Sequence, residues 1–538
     1  MAPAPASSLL LVLATPLAQC GRQLRGLLPK LQSKYADLSR LYVHIIPPNL
    51  RVHESAPSRG QVVHAAKRVY GASAAFPEVD VRLLLHGFKS RSSQEQMSLG
   101  STFKMFLSPS TTESSVMEAY LKAWHPTRQP SQWEGLDVEP CARGSQSEAL
   151  DSEVGKDDDR SFEHVVIGGT FDRLHAGHKI LLVEAVLRSE RSLTIGVTEN
   201  EMLASKKVRE LILPTSERIK VLENFLQDCD STLEYKLEPI VDPFGPSIVD
   251  PGLELIVGSE ESAQGCEKVN EKRQERGLKP LDIIIVGVEA DPVKESDLEE
   301  VKVSSSSMRL RLLGSLLKAP SRPWDKSAGP YIVGLTGGSA SGKSSISRRL
   351  EKLGAKIVDC DKLGHKAYQK GTDCLDQVVQ AFGADILDQE GNIDRRVLGS
   401  KVFGNSDFLS FPRTENRAKL EGIVWPEIRR MAEQEIQAHF LRGCSVVVLD
   451  AAVLLAANWH AQMCHEVWVS FVDQDEAIKR IMERDGRSQD EAEKRLASQM
   501  TNADYVRHAH VVFCTKWAGE FTQKQVEKAW TRLQSSLG

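Results

Sequence analysis

The stretch "YIVGLTGGSASGKSS", Tyr331–Ser345, joins an apolar run, a glycine-rich turn and a helix-forming segment. Its centre, Gly337–Ser344, fits the pattern G-x-x-x-x-G-K-[ST] in the strand-to-helix setting that this pattern requires. The glycines let successive backbone N–H groups turn toward one anion, and the N-terminus of the following helix adds positive potential. The stretch therefore predicts a phosphate-binding loop in an α/β unit.

The residue types in this loop predict its chemistry. Lys343 is expected to reach the β- and γ-phosphates of ATP, and Ser344 to hold Mg²⁺. The residues expected to contact the nucleotide are Gly337, Gly338, Ser339, Ala340, Ser341, Gly342, Lys343, Ser344 and Ser345. A kinase also needs a proton acceptor, and "IVDCDKLGH" places Asp359 and Asp361 at the end of the next predicted strand. Either acid could instead cap the helix that follows.

An arginine-rich segment lies further along, in "KRIMERDGRSQDEAEKRLASQM", Lys479–Met500. It predicts two short helices that carry Arg480, Arg484, Arg487 and Arg495. Such a hairpin could close over a triphosphate, supply charge and exclude water, with Arg484 expected at the nucleotide. The alternative is a solvated charged surface.

Four stretches, "GLTGGSASGKSS", "VDCDKLGHKAY", "VLDAAVLL" and "RLASQM", carry a family resemblance. Over roughly residues 329–536 the chain resembles the dephospho-coenzyme A kinases. The resemblance implies transfer of the ATP γ-phosphate to the ribose 3′-hydroxyl of dephospho-coenzyme A, with Asp361 as the base. The chain departs from the family pattern at Trp425, where His is usual, and at Ala456, where an acid is usual.

A second motif, "GGTFDRLHAGHK", spans Gly168–Lys179. Around it, the apolar runs "HVVIGGT", "SLTIGVT", "LELIVGS" and "LDIIIVGV" alternate with helix-like stretches, which predicts another parallel sheet. His175 and His178 would lie near a helix N-terminus at the end of a strand. A metal pair, which needs a third ligand, and a structural pair are both open. The position favours donors to a bound phosphate.

A serine patch, "KVSSSSMRLR", Lys302–Arg311, closes this predicted unit. Its hydroxyls and N–H groups can wrap a phosphate, and Arg309 can stabilise a leaving pyrophosphate. Together with "GTFDRLHAGH" it resembles the HxGH nucleotidyltransferases, and over residues 161–318 the eukaryotic phosphopantetheine adenylyltransferases. The resemblance implies catalytic roles for His175, His178 and Arg309, and a lysine for the pantetheine phosphate, assigned to Lys206 ahead of Lys207. The implied ATP contacts are Gly169, Thr170, Phe171, Gly177, Ser304, Ser305 and Ser306.

The order of the two units is similar to that of the bifunctional coenzyme A synthases. Their first unit would adenylylate 4′-phosphopantetheine with ATP and Mg²⁺, and the second would phosphorylate the product. One rival pairs a nicotinamide mononucleotide adenylyltransferase with a ribosyl-nicotinamide kinase. Another is a binding protein in which one site has decayed. The sequence does not predict an oligomeric state.

The chain has 538 residues, a length typical of about three or four domains. The expected fold class is α/β: an N-terminal extension, a Rossmann-like HxGH nucleotidyltransferase domain and a P-loop kinase domain. The net charge of −5 argues against nucleic acid as the main partner. The expected boundaries are a targeting segment in 1–40, a region without an assigned role in 41–140, an acidic linker in 141–160, the nucleotidyltransferase in 161–318, a linker in 319–328 and the kinase in 329–538.

The N-terminus contains no acidic residue before Asp37, whereas Arg22, Arg25, Lys30 and Lys34 follow the apolar run "SLLLVLATPLA". That run is too short to span a bilayer. The basic, acid-free N-terminus with its Ser and Leu residues resembles a mitochondrial signal. A secretory peptide would carry its charge before the run, and a disordered start is the other alternative. The expected location is therefore the mitochondrion, in the matrix or peripherally on the outer membrane, or the cytoplasm. The nine cysteines form no CxxC pair, which favours a reducing compartment.

Overall fold

Three parallel sheets of five strands each organise the chain in a computed structural model. The structure describes residues 7–13, 15–46, 57–88, 104–108, 133–135, 159–287, 289–320, 322–403 and 415–537, together with Glu118, Tyr120 and Lys122. Two compact units divide it, Met1–Met308 and Arg309–Gly538. The parallel α/β architecture is thus confirmed. The predicted linker 141–160 lies outside the described residues except for 159 and 160.

The first sheet has the strand order β3-β2-β1-β4-β5. Its elements are β1 (Ser7–Leu13), α1 (Cys20–Lys34), β2 (Leu38–Ile45), α2 (Arg59–Ser73), β3 (Asp80–Leu83), β4 (Lys104–Ser108) and β5 (Trp133–Gly135). Strand β1 is central, and Leu9 and Leu11 have no exposed surface. The predicted boundary at residue 40 falls inside β2, and residues on both sides of it contribute strands to one sheet. An apolar run has the same local pattern in a leader and in a buried strand, so the sequence could not separate them.

The second sheet has the order β10-β9-β6-β7-β8. Its elements are β6 (Phe162–Gly169), α3 (Ala176–Arg188), β7 (Ser189–Thr198), α4 (Thr215–Cys229), β8 (Glu234–Ile240), β9 (Leu255–Ser259), α5 (Ala263–Glu275), β10 (Asp282–Val286) and α6 (Ser305–Leu312). Its buried side chains form one core with those of the first sheet, for example Leu182 and Leu222 with Val69 and Leu83. The division between the two units falls after Met308, inside α6 and ten residues before the predicted boundary at 318.

The third sheet has the order β12-β13-β11-β14-β15. Its elements are β11 (Tyr331–Thr336), α7 (Lys343–Lys352), β12 (Lys356–Asp359), α8 (Cys360–Ala367), α9 (Asp373–Phe382), α10 (Arg395–Phe403), α11 (Glu415–Leu441), β13 (Val446–Asp450), α12 (Trp459–Gln462), β14 (Glu466–Phe471), α13 (Gln474–Asp485), α14 (Gln489–Ala497), α15 (Asn502–His508), β15 (Val511–Cys514) and α16 (Gly519–Leu537). Strands β13 and β14 are buried along their whole length. Helices therefore cover both faces of the sheet, and ligands can approach only at strand ends. In the part of the chain described, no helix has the length and apolar character needed to cross a membrane.

Candidate functional site

The first site begins at a strained turn after β6. Phe171 and Arg173 adopt left-handed backbone angles, with φ of 49° and 54°. Such angles cost energy outside glycine and persist only where neighbouring groups enforce them. Arg218, which is 1% exposed, donates to the carbonyl oxygens of Thr170 at 2.6 Å and Thr198 at 2.9 Å. The buried guanidinium of Arg218 therefore stabilises the start of the turn through hydrogen bonds to backbone carbonyl oxygens.

Sequence reasoning missed Arg218. The signal was present, because Arg218 lies four residues before Leu222 on the buried stripe of α4. An arginine on an apolar stripe needs several acceptors to offset its desolvation, and the Arg218 guanidinium donates to three backbone carbonyl oxygens and to the Thr215 hydroxyl. Burial also lowers the pKa of Arg218.

The two histidines meet at the start of α3. His175 is the N-cap residue and His178 is the third residue of the helix. Their rings stack with centroids 3.8 Å apart and an interplanar angle of 25°, and the Phe171 ring lies 5.4 Å from His178. A Cβ atom on Gly177 would lie 3.3 Å from the His175 ring, so the glycine leaves room for the stack. The structure thus places His175, Gly177 and His178 together, as expected.

Both imidazoles are neutral at pH 7. Burial and then the charge of Lys206 lower the pKa of His178 to about 4. Burial, followed by the charges of His178 and Lys179, lowers the pKa of His175 well below its ordinary value. The Nδ1 atoms of both rings are buried without a hydrogen-bond partner. An unpaired acceptor costs less than an unpaired N–H donor, so this favours the tautomer that carries its proton on Nε2.

The lysine pair Lys206 and Lys207 is exposed, and the two side chains differ in their surroundings. Lys206 is close enough to depress the pKa of His178. Lys207 donates to the carbonyl oxygen of Leu298 at 3.4 Å. The geometry therefore favours Lys206 as the cation beside the histidines.

The serine patch reaches the same turn. Ser305 Oγ donates to the carbonyl oxygen of Asp172 at 2.8 Å, and Asp172 is fully buried. Ser304 Oγ accepts from the N–H of Ser307 at 3.2 Å and so satisfies the start of α6. Ser305 therefore joins α6 to the histidine turn, while Ser304 also acts as a structural cap.

Other predicted nucleotide contacts in this unit differ in accessibility. Gly169 ends β6, and the Thr170 hydroxyl accepts from Thr198 Oγ1 at 3.1 Å. The Phe171 side chain is 1% exposed, so a ligand could reach only its backbone. Ser306 is half-buried. Arg309 lies on α6 beyond the unit boundary, and its side chain is 1% exposed.

The second site begins with the loop Gly337–Gly342. Ala340 and Gly342 have φ angles of 60° and 83°. A Cβ atom on Gly337 would lie 2.2 Å from the Ser470 carbonyl oxygen, so only glycine fits there. Thr515 Oγ1 donates to the Ser341 carbonyl oxygen at 2.9 Å. The ends of β14 and β15 thus shape the loop.

Arg480, one of the arginines of the predicted hairpin, has its guanidinium bound to protein oxygens beside the loop. Its guanidinium donates to the Ala340 carbonyl oxygen at 3.2 Å and to Thr515 Oγ1 and O at 2.8 and 2.7 Å. These partners are protein oxygens on both sides of the loop. Arg480 therefore braces the left-handed residue Ala340, a role that the sequence did not reveal.

Lys343 lies between two carboxylates. Its Nζ atom donates to Asp361 Oδ2 at 3.2 Å and forms a close ion pair with Asp450 at the end of β13. Burial alone would lower the pKa of Lys343, but these carboxylates outweigh it and raise the pKa. Asp450 is 5% exposed, and burial raises its pKa against the opposing charge of Lys343. The sequence analysis assigned no role to Asp450. An acid directly after four apolar residues nevertheless indicates a candidate site residue, because ligands bind at the carboxyl ends of parallel strands.

The structure separates the two acids after β12. Asp359 is the N-cap of α8, and its Oδ1 atom accepts from the Lys362 N–H at 3.0 Å. Asp361 lies in the first turn, with its side chain 55% exposed, and lines the cavity beside the loop. Asp359 is therefore the helix cap, and Asp361 is the acid available to a ligand.

A cavity of about 900 Å³ lies over the phosphate loop. Three arginines of the predicted hairpin line it, namely Arg480, Arg484 and Arg495. Asp485 pairs with Arg484 at 2.8 Å and with Arg495 at 2.7 Å, and so holds both near the cavity. Arg487 lies in the turn between α13 and α14. The two short helices that the sequence predicted are present.

The other lining residues include the full predicted loop and Ala456. Ser344 and Ser345 are in the first turn of α7 and line the cavity. Ser341 is only 2% exposed, and its hydroxyl forms a hydrogen bond with the hydroxyl of Ser470. Trp425 is half-buried within α11. In the described residues, no group of three or more His, Cys, Asp and Glu side chains is placed to hold a metal ion.

Comparisons with known proteins match each site separately. Residues 331–516 match the family model described as dephospho-CoA kinase, and residues 166–311 match the model described as cytidylyltransferase-like. A dephospho-CoA kinase of Geobacter sulfurreducens is 40% identical over 201 residues, 37% of this chain and 98% of that protein. The protein of the same name from Geobacter metallireducens is 37% identical over 199 residues, which are 37% of this chain and 94% of that protein. Among solved structures, TT1252 from Thermus thermophilus aligns with a TM-score of 0.32 and 26% identity, covering 39% of this chain and 99% of that one.

Proposed function

The chain belongs to the dephospho-CoA kinase family through its second unit, and we propose that it catalyses the last two steps of coenzyme A biosynthesis. The first unit transfers the adenylyl group of ATP to 4′-phosphopantetheine, giving dephospho-coenzyme A and pyrophosphate. The second unit transfers the ATP γ-phosphate to the ribose 3′-hydroxyl of that product. The observation that carries the proposal is that one chain contains both the stacked His175–His178 pair and the loop with Lys343 between Asp361 and Asp450.

The first step is a direct displacement at the ATP α-phosphorus. The pantetheine phosphate is already an anion, so the reaction needs no protein base and is driven by positioning and charge stabilisation. The Nε2–H groups of His175 and His178 donate to phosphate oxygens as negative charge grows on them. Lys206 supplies the cation for the acceptor phosphate. A neutral imidazole that carries its proton on Nε2 still offers one N–H donor, so the low pKa values leave this role intact.

The second step needs an activated hydroxyl and a neutralised triphosphate. Asp361, exposed to the cavity, accepts the proton of the 3′-hydroxyl. Lys343 moves from its two carboxylates to the β- and γ-phosphates, and Arg484 adds positive charge. The Ser344 hydroxyl and the Asp450 carboxylate are the oxygen donors that Mg²⁺ prefers, so they would hold the ion, which supplies charge neutralisation at the β- and γ-phosphates.

The decisive experiment incubates the purified chain with ATP and 4′-phosphopantetheine. We expect dephospho-coenzyme A to form first and coenzyme A to follow, with pyrophosphate equal to the sum of the two. Chromatography resolves all three products. If neither coenzyme product forms while nicotinamide mononucleotide is adenylylated, the substrate assignment is wrong.

The low pKa of His178 predicts the pH profile of the first step. The neutral ring is the active form, so kcat should stay level from about pH 8 to about pH 5.5 and fall only near pH 4, where His178 binds a proton. The unfolded chain binds that proton near the ordinary value of 6.5, so the histidine also lowers stability progressively as the pH falls from 6.5 toward 4. Rapid-quench kinetics and thermal melts measure the two effects. Because the second ionisation of a phosphate monoester lies at about 6, the contradicting result is a titration of the His178 ring itself near 6.5, followed by NMR.

The acids after β12 give a matched pair of variants. We expect Asp361→Asn to lower kcat of phosphoryl transfer by about 10²–10⁴, because the proton acceptor is lost. Asp359→Asn keeps a side-chain oxygen that can accept from the Lys362 N–H, so it should cost well under about 1 kcal/mol of stability and have little effect on kcat. Steady-state kinetics and denaturant unfolding separate these outcomes. Equal losses of kcat in both variants would argue against the assignment of the base.

We also propose that any mitochondrial address in the first residues acts without being removed. Residues 7–13 form the central strand of the first sheet, so cleavage beyond them would break that sheet. Cell fractionation followed by mass spectrometry of the N-terminal peptide tests this. A mitochondrial form that starts after residue 13 would overturn it.

A further inference from the structure

The first two sheets have the same topology. Counted from the first strand of each, both have the order 3-2-1-4-5. The helix after the first strand also begins alike: Gln19 and His175 are N-cap residues, and Gly21 and Gly177 are second in their helices. The third residue is Arg22 in α1 and His178 in α3. The N-terminal sheet therefore has the layout of the adenylyltransferase sheet without its histidine pair.

The two sheets are joined next to the histidines. Lys179 follows His178 in α3, and its side chain is 8% exposed. Its Nζ atom leaves its own sheet and donates to Asp80 Oδ1 at 2.7 Å and to the Val81 carbonyl oxygen at 2.8 Å, both on β3. The backbone N–H of Lys179 donates to the His175 carbonyl oxygen at 3.0 Å. One residue thus bonds to the N-cap of α3 and to the N-terminal sheet.

Asp80 pairs with a second buried cation besides Lys179. Arg82, whose side chain is 4% exposed, contacts Asp80 Oδ2 at 2.8 Å and forms a close ion pair with Asp228 on α4. Burial would raise the pKa of Asp80, but the charges of Lys179 and Arg82 outweigh it and lower the pKa to about 2. The Asp80 side chain is 34% exposed, but Lys179 and Arg82 are buried, so separating either cation from Asp80 would leave a buried charge without compensation.

The start of α3 needs such support. The His175 side chain makes no capping hydrogen bond to the helix, so the first turn has no side-chain cap of its own. Its neighbours Phe171 and Arg173 already lie in left-handed conformations. The ion pair between Asp80 and Lys179, here called the anchor, therefore stabilises the first turn of α3, which carries His175 and His178.

We propose that the N-terminal sheet is a non-catalytic partner of the adenylyltransferase site and that Asp80 is a positioning residue, which fixes His175 and His178 by holding Lys179. The proposal rests on adenylyl transfer at these histidines. A displacement of about 1 Å in a catalytic group costs about 10²-fold in rate, so the anchor has a kinetic consequence.

The test compares two variants at opposite ends of α3. Asp80→Asn should lower kcat for adenylyl transfer by about 10- to 100-fold and change the KM for ATP by less than about two-fold. Asp80→Glu, which keeps the charge, should recover most of the rate. The control is Arg59→Gln, which removes bonds from α2 to the Leu187 carbonyl oxygen and to Glu190 at the far end of the helix. It should lower the melting temperature to a similar extent but leave kcat within about two-fold.

Hydrogen exchange gives a readout that needs no substrate. In the full-length chain, the amides at 179–182, which are the first to be hydrogen-bonded within α3, should exchange about ten-fold faster in Asp80→Asn than in Arg59→Gln, as expected for local opening. The proposal is overturned if these amides keep their protection, or if kcat falls in both variants in proportion to melting temperature. If the wild-type chain forms no dephospho-coenzyme A, the proposed function fails, and exchange at 179–182 alone decides whether Asp80 orders the turn.

Discussion

Lys343→Met is expected to lower kcat for phosphorylation of dephospho-coenzyme A by at least about 10²–10³, as for other single electrostatic groups at a reacting phosphate. Methionine keeps the length and apolar character of the side chain but removes the cation. It also leaves Asp450, 5% exposed, without the charge that opposes protonation, so the pKa of Asp450 should rise further. Adenylyl transfer should be unchanged, and a coupled assay with dephospho-coenzyme A measures the loss.

The matched control is Lys362→Met. Lys362 pairs with Asp359 at 3.1 Å, and its side chain is 79% exposed, so its removal takes away a nearby charge without touching the loop. Its kcat should remain within about two-fold, since exposed pairs contribute little. If both lysine variants lost activity equally, net charge rather than the position of Lys343 would explain the effect. If Lys343→Met also abolished adenylyl transfer, the two sites would not be independent.

His178→Ala is expected to reduce adenylyl transfer by about 10²–10³ while phosphoryl transfer continues at its normal rate. The variant removes one of the two Nε2–H donors and also the ring against which His175 stacks at 3.8 Å. The effect should fall on kcat more than on the KM for ATP, because the interaction strengthens as charge develops in the transition state. Following dephospho-coenzyme A formation under single-turnover conditions isolates this step.

His164→Ala serves as its control within the same unit. His164 lies on β6, where its Nδ1 atom is 2.7 Å from Ser192 Oγ. This contact is away from the carboxyl end of the strand, so the variant should lose some stability and keep kcat. Equal losses of kcat at His164 and His178 would show that the unit is sensitive to any histidine removal, and the assigned role of His178 would be abandoned.

Both motifs that carry the chemistry could be predicted because each is local. The loop Gly337–Ser344 and the turn Gly168–Lys179 are contiguous strand–turn–helix segments, in which glycines permit the backbone path and the helix start aims N–H groups at an anion. Neighbouring residues in the chain are then neighbours in the site. This is why His175 and His178, Lys343 and Ser344 could be proposed from their motifs and from the position of each motif between a strand and a helix.

Residues that act across the sheet could not be predicted with the same ease. Asp450 is 107 positions after Lys343 and reaches it only because β13 pairs with β11. Arg480 braces Ala340 from 140 positions away, and Arg218 reaches Thr170 from 48. Side-chain direction on the first turn of α8 separated Asp359 from Asp361, although both follow the same strand.

The sequence by itself determined the α/β class, the two strand–turn–helix motifs and the histidine pair, because these depend on backbone conformation and on neighbours within one turn. Only the tertiary structure decided that Ser7–Leu13 is a central strand, that Asp359 is a cap, and that Asp80 holds Lys179 across two sheets. The physical reason is that burial and ion pairing depend on strand order. An apolar run or a charged side chain is locally the same whether solvent or another sheet covers it.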